Sequence, residues 1–196
     1  MEVALVISIV GVVPITLYLE AAKSARTASC ISNLRNIYIG IEMYEMDVGG
    51  IPGAKFYPES PKDDPESILN ILNNYIDNKQ VFICPSMPED LKKLSLTYIW
   101  NDRYNNQALS AVSSQSSEWL MTEMSAVEPK IPPPHRGCYN VLFFDGHVET
   151  VKKAVQITPA PETLKDFIND KVLAKKPDEG LELVRYIFLP NEFGFY

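Results

Sequence analysis

His135, Asp145 and His147 lie close together in the chain, and one carboxylate with two imidazoles is a reasonable donor set for a transition metal. Each also has an ordinary use. Asp145 precedes Gly146 in a turn dipeptide, His147 suits an exposed strand position, and His135 can bond its loop back to the hairpin that follows. Only two histidines occur, so a histidine-rich catalytic zinc site is excluded by count. The three cysteines, Cys30, Cys84 and Cys138, are too sparse for a disulfide scaffold. Outside the cytoplasm they would make one bridge and one odd thiol. A Cys30–Cys84 bridge would tie an N-terminal rod to the head behind it and stabilise by about 2–4 kcal/mol. Cys138 is a rival partner, and the alternative to any bridge is a pair of buried free thiols. No nucleophile elbow, phosphate loop or dinucleotide fingerprint is present. The paired acids Asp63-Asp64 and Glu89-Asp90 sit in Pro-rich loops and read as solvated. The chain is therefore not expected to be an enzyme, and a metal-dependent one built on His135, Asp145 and His147 is the one reading of that class.

These groups need elements to hold them, and the first is a long helix. From Val3 to Leu19 there is no charged side chain, with Glu2 directly before the run and Glu20 directly after. Such a run spans roughly 25 Å as a helix at ~1.5 Å per residue, the short end of a bilayer crossing. An anchor or signal peptide would carry Lys or Arg at its front edge, whereas this one carries an acid. A carboxylate there is costly unless a partner charge neutralises it. Ala21, Ala25, Ala28, Ile31, Leu34, Tyr38 and Ile41 then continue at steps of three or four, one apolar stripe at helical period. The pattern predicts a helix over 1–46, ending before Asp47-Val-Gly-Gly, with residues 1–20 in lipid or a hydrophobic bundle and 21–46 packed on a head. Pro14 predicts a kink or melted turn, and Gly11 a place for close helix approach.

A head over 47–155 follows. A Pro/Gly/Asp-rich loop leads to a short helix capped near Asp64 or Pro65, with Ile68, Leu69, Leu72 and Ile76 facing inward. Val81-Phe-Ile-Cys-Pro reads as a short buried run, and Leu94–Trp100 and Glu118–Met124 as strands. Tyr139 to Val151 reads as a hairpin turning at Asp145-Gly146, which supplies positive φ. Residues 156–196 read as an extension, with a helix over Pro161–Leu173 and a strand over Leu181–Leu189. With 18 basic and 25 acidic residues, the net charge is -7 and no basic cluster interrupts it, so nucleic acid is not an expected partner.

Certain stretches resemble a known family. The carboxylate, the apolar helix, its Ala-rich continuation and a small β-containing head are similar to the type IV pilins and type II secretion pseudopilins. Within them, Ala25-Arg26-Thr27-Ala28-Ser29-Cys30-Ile31-Ser32-Asn33-Leu34-Arg35, then Tyr44 and Gly49-Gly50-Ile51-Pro52, resembles a large bacterial subgroup. Phe82-Ile83-Cys84-Pro85-Ser86 matches its second recurrent stretch. His135, nine intervening residues and Asp145-Gly146 match its third, so the resemblance covers roughly residues 1 to 150.

The resemblance implies an α+β, type IV pilin-like fold: a long N-terminal helix packed on a small antiparallel sheet, plus the C-terminal extension. It implies a structural subunit of a type IV pilus-like or type II secretion pseudopilus filament, with further copies of itself as the main partner. Prepilin peptidase and an assembly machinery would be further partners. It places the subunit in the inner membrane first, then in a surface or periplasmic filament. Glu2, Gly11 and Pro14 become assembly residues, with the Glu2 carboxylate meeting the N-terminal amine of a neighbouring subunit. One buried charge without the other would cost several kcal/mol. In the family that glutamate is the fifth mature residue and the helix proline lies about five positions beyond Pro14, which leaves open where the mature chain starts. Some such pseudopilins hold calcium in a loop; Asn101, Asp102, Asn105 and Asn106 offer hard oxygen donors for it, and ordinary turn chemistry is the alternative. No other cofactor is implied. The rival from another class is a monomeric ligand-binding protein on a simple membrane anchor, which has no use for Glu2.

Overall fold

Gly49 ends the long helix as the composition predicts, two residues later than the pattern suggests. A computed structural model describes residues 2–127 and 132–155, with side chains described from Ile15 onward. In it α1 runs Glu2–Val48, about 70 Å at the usual rise. Gly49 then adopts φ +86° and its N–H donates to Glu45 O at 2.7 Å. That left-handed residue satisfies a terminal carbonyl at little steric cost. The backbone of Glu2, Gly11 and Pro14 lies in α1, and their side chains lie outside the described residues. So does the whole extension from 156, with its expected helix and strand.

Two expectations about α1 need correction. The inner-membrane location is not supported: among the described residues, no helix is long and apolar enough to cross a membrane. From Ile15 on, α1 carries Glu20, Lys23, Arg26, Arg35, Glu42, Glu45 and Asp47, charges that hydrocarbon does not accommodate. The buried stripe also departs from the expected one in part, keeping Leu34 and Ile41 but not the alanines. Cys30, Leu34, Ile37 and Ile41 are fully buried, whereas Ala21, Ala25 and Ala28 are exposed. An alanine buries too little area to decide which face docks, and the larger side chains decide it.

The head packs on that stripe. The four strands β1 (Tyr98–Trp100), β2 (Trp119–Glu123), β3 (Tyr139–Phe143) and β4 (Val148–Val151) form an antiparallel meander in the order β1-β2-β3-β4. The long helix with this sheet makes the fold α+β. β2 carries a register irregularity between Trp119 and Met121. β1 is shorter than expected because Leu94 and Ser95 close the one-turn α3 (Glu89–Lys92) instead of extending, with Ser95 at φ +67°. The short helix α2 (Ile68–Ile71) starts after Ser67, beyond the expected cap, and continues as a 3-10 turn over Leu72–Asn74. Its Ile68, Leu69, Leu72 and Ile76 are buried as expected. Val81, Phe82 and Cys84 of the apolar run are buried, and a 3-10 turn covers Lys79–Phe82. The core gathers Leu34, Ile37 and Ile41 of α1 with Phe82, Tyr98, Trp100, Leu142 and Phe144.

Candidate metal centre

Where α1, the loop before β1, the end of β2 and the loop before β3 converge, four polar side chains are buried together. They are Cys30, Cys84, Glu123 and His135, and their ligating atoms all lie within 4.8 Å of one another. Each arrives for a local reason. Cys30 stands on the buried stripe of α1. Cys84 follows the 3-10 turn, its N–H donating to Thr97 Oγ1 at 2.6 Å. Glu123 closes β2 at an inward position paired with Tyr98. His135 lies in a turn closed by its reciprocal backbone bonds with Cys138. Arg136, at φ +53°, holds that turn against α1 through Glu20 Oε2 (2.7 Å), Glu20 O (2.9 Å) and Ser24 Oγ (2.9 Å).

A buried carboxylate and imidazole survive only when paired and fully hydrogen-bonded. Here they are. His135 Nε2 lies 2.9 Å from Glu123 Oε1 and 3.4 Å from Cys84 Sγ. The Cys30 thiol donates to Glu123 Oε1 at 3.1 Å, and the Tyr98 hydroxyl lies 3.0 Å from Cys30 Sγ. Glu123 Oε2 accepts the Asn140 N–H at 2.7 Å. His135 Nδ1 lies 3.2 Å from Thr27 Oγ1, whose one hydroxyl proton goes to Lys23 O at 3.1 Å. Thr27 must therefore accept from Nδ1–H, which leaves Nε2 to face the cluster.

The protonation states follow from the surroundings. Burial pushes His135 down, but hydrogen bonds with Cys30 and Glu123 and the Glu123 charge outweigh it and raise its pKa to about 9. Burial pushes the Cys30 thiol well up, and contact with Cys84 and the Glu123 charge push it further. Burial likewise holds the Tyr98 hydroxyl neutral. Without a cation, then, Cys30 keeps its thiol proton and His135 is held toward its charged form beside Glu123. Two sulfurs, one imidazole nitrogen and one carboxylate oxygen are also a donor set for a thiophilic divalent metal.

The residues singled out in the sequence are redistributed. Cys30 and Cys84 do meet, as free thiols and not as a bridge, each sulfur engaged with the acid–imidazole pair; Cys138 is free as well. His135, Asp145 and His147 do not come together. His135 is buried, while Asp145 and His147 bond each other at the exposed tip of the hairpin, where His147 stacks on Phe143. Gly146 takes φ +83° in that turn. Asn101 Oδ1 accepts the Arg103 N–H, and Asn105 Oδ1 accepts the Trp100 indole N–H at 2.7 Å while its amide donates to Ala54 O at 2.8 Å. Asp102 opens the same 3-10 turn, and Asn106 sits at φ +62° with its N–H on Ile51 O. Asn101 Oδ1 and Asn105 Oδ1 are thus used within the loop.

Glu123 is the member that sequence reasoning missed. Its signal is an acid closing the apolar strand Leu120-Met121-Thr122-Glu123-Met124, where a carboxylate in a core demands a partner. Cys30, Cys84 and His135 come one each from the three stretches that carry the family resemblance. Comparison of the chain with protein-family models, curated proteins and solved structures finds no significant match.

Proposed function

We propose that the chain is a structural subunit of a pilus-like or pseudopilus-like filament, in which α1 of one copy packs along α1 of others. One observation carries the reading. Ile15, Tyr18, Ala22, Ala25, Ser29, Ser32, Asn36, Ile39, Met43 and Met46 follow one another at alternating steps of three and four along α1, and none is charged. All but the half-buried Ala22 are exposed, Tyr18 at 73% and Met46 at 83% of their surface. Steps that average 3.5 residues are the spacing of a coiled-coil seam. The small residues at 22, 25, 29 and 32 let a second helix come close, and the large apolar ones at each end supply area to bury. A monomer has no need of such a seam on the face turned away from its head. The family resemblance, including the expected role of Glu2 in setting register, points the same way.

The test is negative-stain electron microscopy and light scattering on the purified full-length chain. Uniform thin filaments are expected, and they should be lost in Ala25→Glu and Met43→Glu while the head melts at an unchanged temperature. Discrete monomers at high concentration, with the two variants behaving like the parent, would overturn the reading.

A further inference from the structure

We propose that Cys30, Cys84, Glu123 and His135 bind one zinc ion per chain, and that this ion is structural, clamping the head onto α1. The inference is independent of the filament reading and rests on the donor geometry.

A tetrahedral zinc with sulfur at ~2.3 Å and nitrogen or oxygen at ~2.0–2.1 Å separates its donors by roughly 3.3–3.8 Å. The distances already present are 2.9 Å for His135 Nε2 to Glu123 Oε1, 3.1 Å for Cys30 Sγ to Glu123 Oε1 and 3.4 Å for Cys84 Sγ to His135 Nε2. These three lie within about half an ångström of the tetrahedral separations, and all four donor atoms lie within 4.8 Å of one another. Each ligand is also oriented from behind, as metal ligands usually are. Thr27 Oγ1 accepts a hydrogen bond from Nδ1–H of His135 and fixes the tautomer that presents Nε2. The Asn140 N–H holds Glu123 Oε2 and leaves Oε1 facing inward. The Tyr98 hydroxyl can donate to Cys30 once its sulfur is a thiolate. Thr97 anchors the backbone of Cys84.

Two sulfurs and an imidazole favour a thiophilic ion over calcium or magnesium. Three of the four ligands are wholly buried and His135 is 3% exposed, which leaves no open position for water and marks the site as structural. Binding releases the thiol protons of Cys30 and Cys84 and the Nε2 proton of His135. Three protons leave as two positive charges enter, and the site goes from neutral to one net negative charge. The ligands come from α1, the loop before β1, β2 and the loop before β3, so the ion would cross-link the shaft to three parts of the head.

The experiment measures metal content of the full-length chain grown with zinc and purified without chelator. About one zinc per chain is expected. After chelation under reducing conditions, cobalt(II) should restore one ion per chain, with the visible bands of a tetrahedral site and thiolate-to-cobalt charge transfer in the near ultraviolet. Cys30→Ser and Cys84→Ser should each weaken metal binding about tenfold or more, whereas Cys138→Ser should bind as the parent does. Because the cobalt spectrum is read on the unaltered chain, misfolding of a variant does not blur the result. Folded parent protein that takes up neither ion, or a Cys30–Cys84 disulfide mapped in the protein as isolated, would overturn the proposal.

Discussion

The ring of Tyr38 fills the space that any side chain at residue 146 would need. A Cβ built on Gly146 would lie 2.5 Å from a ring carbon of Tyr38, and the residue sits at φ +83°. The Tyr38 hydroxyl donates to Phe144 O at 3.1 Å, so the helix holds the hairpin turn from both sides of its tip. Gly146→Ala therefore meets two penalties, a left-handed backbone and an overpacked contact. We expect it to destabilise the fold by about 2–4 kcal/mol in urea unfolding. Tyr38→Ala in the same background should recover part of the loss, because it removes the clash and leaves the backbone strain.

Tyr38 also predicts how the fold responds to alkali. Burial, with the charges of Glu42, Asp145 and Glu45, raises its pKa from the ordinary 10.0 to about 12. A group whose pKa is higher in the folded state contributes stability in full below its unfolded pKa and loses it as pH rises through the folded one. Its contribution should be constant below about pH 10 and decline from there to about 12. Absorbance titration of tyrosinate alongside unfolding curves checks this. Tyr57, Tyr75, Tyr98, Tyr104 and Tyr139 are also raised, so Tyr38→Phe should remove one late-titrating hydroxyl and lessen, without abolishing, that part of the profile.

The buried face of α1 can be separated from its outward face by substitution. Leu34 and Ile37 are fully buried, and Ile39 is 53% exposed. Leu34→Ala or Ile37→Ala should cost about 2–5 kcal/mol, and Ile39→Ala no more than about 0.5 kcal/mol in the monomer. Chemical unfolding of the three variants reads the register directly. Equal losses at all three positions would contradict the placement of the helix on the head.

Thr27 is expected to matter beyond its size. It accepts a hydrogen bond from Nδ1–H of a buried imidazole and donates its own hydroxyl to Lys23 O. Thr27→Val keeps the shape and leaves the His135 donor without a partner, at a cost of about 1–3 kcal/mol in metal-free protein. Thr27→Ser should restore most of that. A loss in both variants would assign the effect to packing by the methyl group.

Much of the local architecture is legible in the residues because its causes are local. Asp145-Gly146 between two β-rich segments specifies a hairpin through one positive φ, and the strands pair around it as expected. Gly49 ends the helix for the same reason. The inward positions Ile68, Leu69, Leu72 and Ile76 follow from periodicity alone. The third stretch of the family resemblance misleads in one respect: it invites His135 and Asp145 into one site, whereas it places one in the core and the other on the surface.

Unaided, then, the residues specify the long helix, the hairpin at Asp145-Gly146 and the separation of that helix from a small β-containing head. These are set by interactions among residues a few positions apart. Only the tertiary structure decided which helix face is buried, because a run of alanines and serines offers nearly equal faces until a sheet docks on one of them. Only it could bring Cys30, Cys84, Glu123 and His135 together. No spacing rule links four residues on four segments, and their meeting depends on how the head closes over α1, where a core that excludes water compels each polar group to find the others.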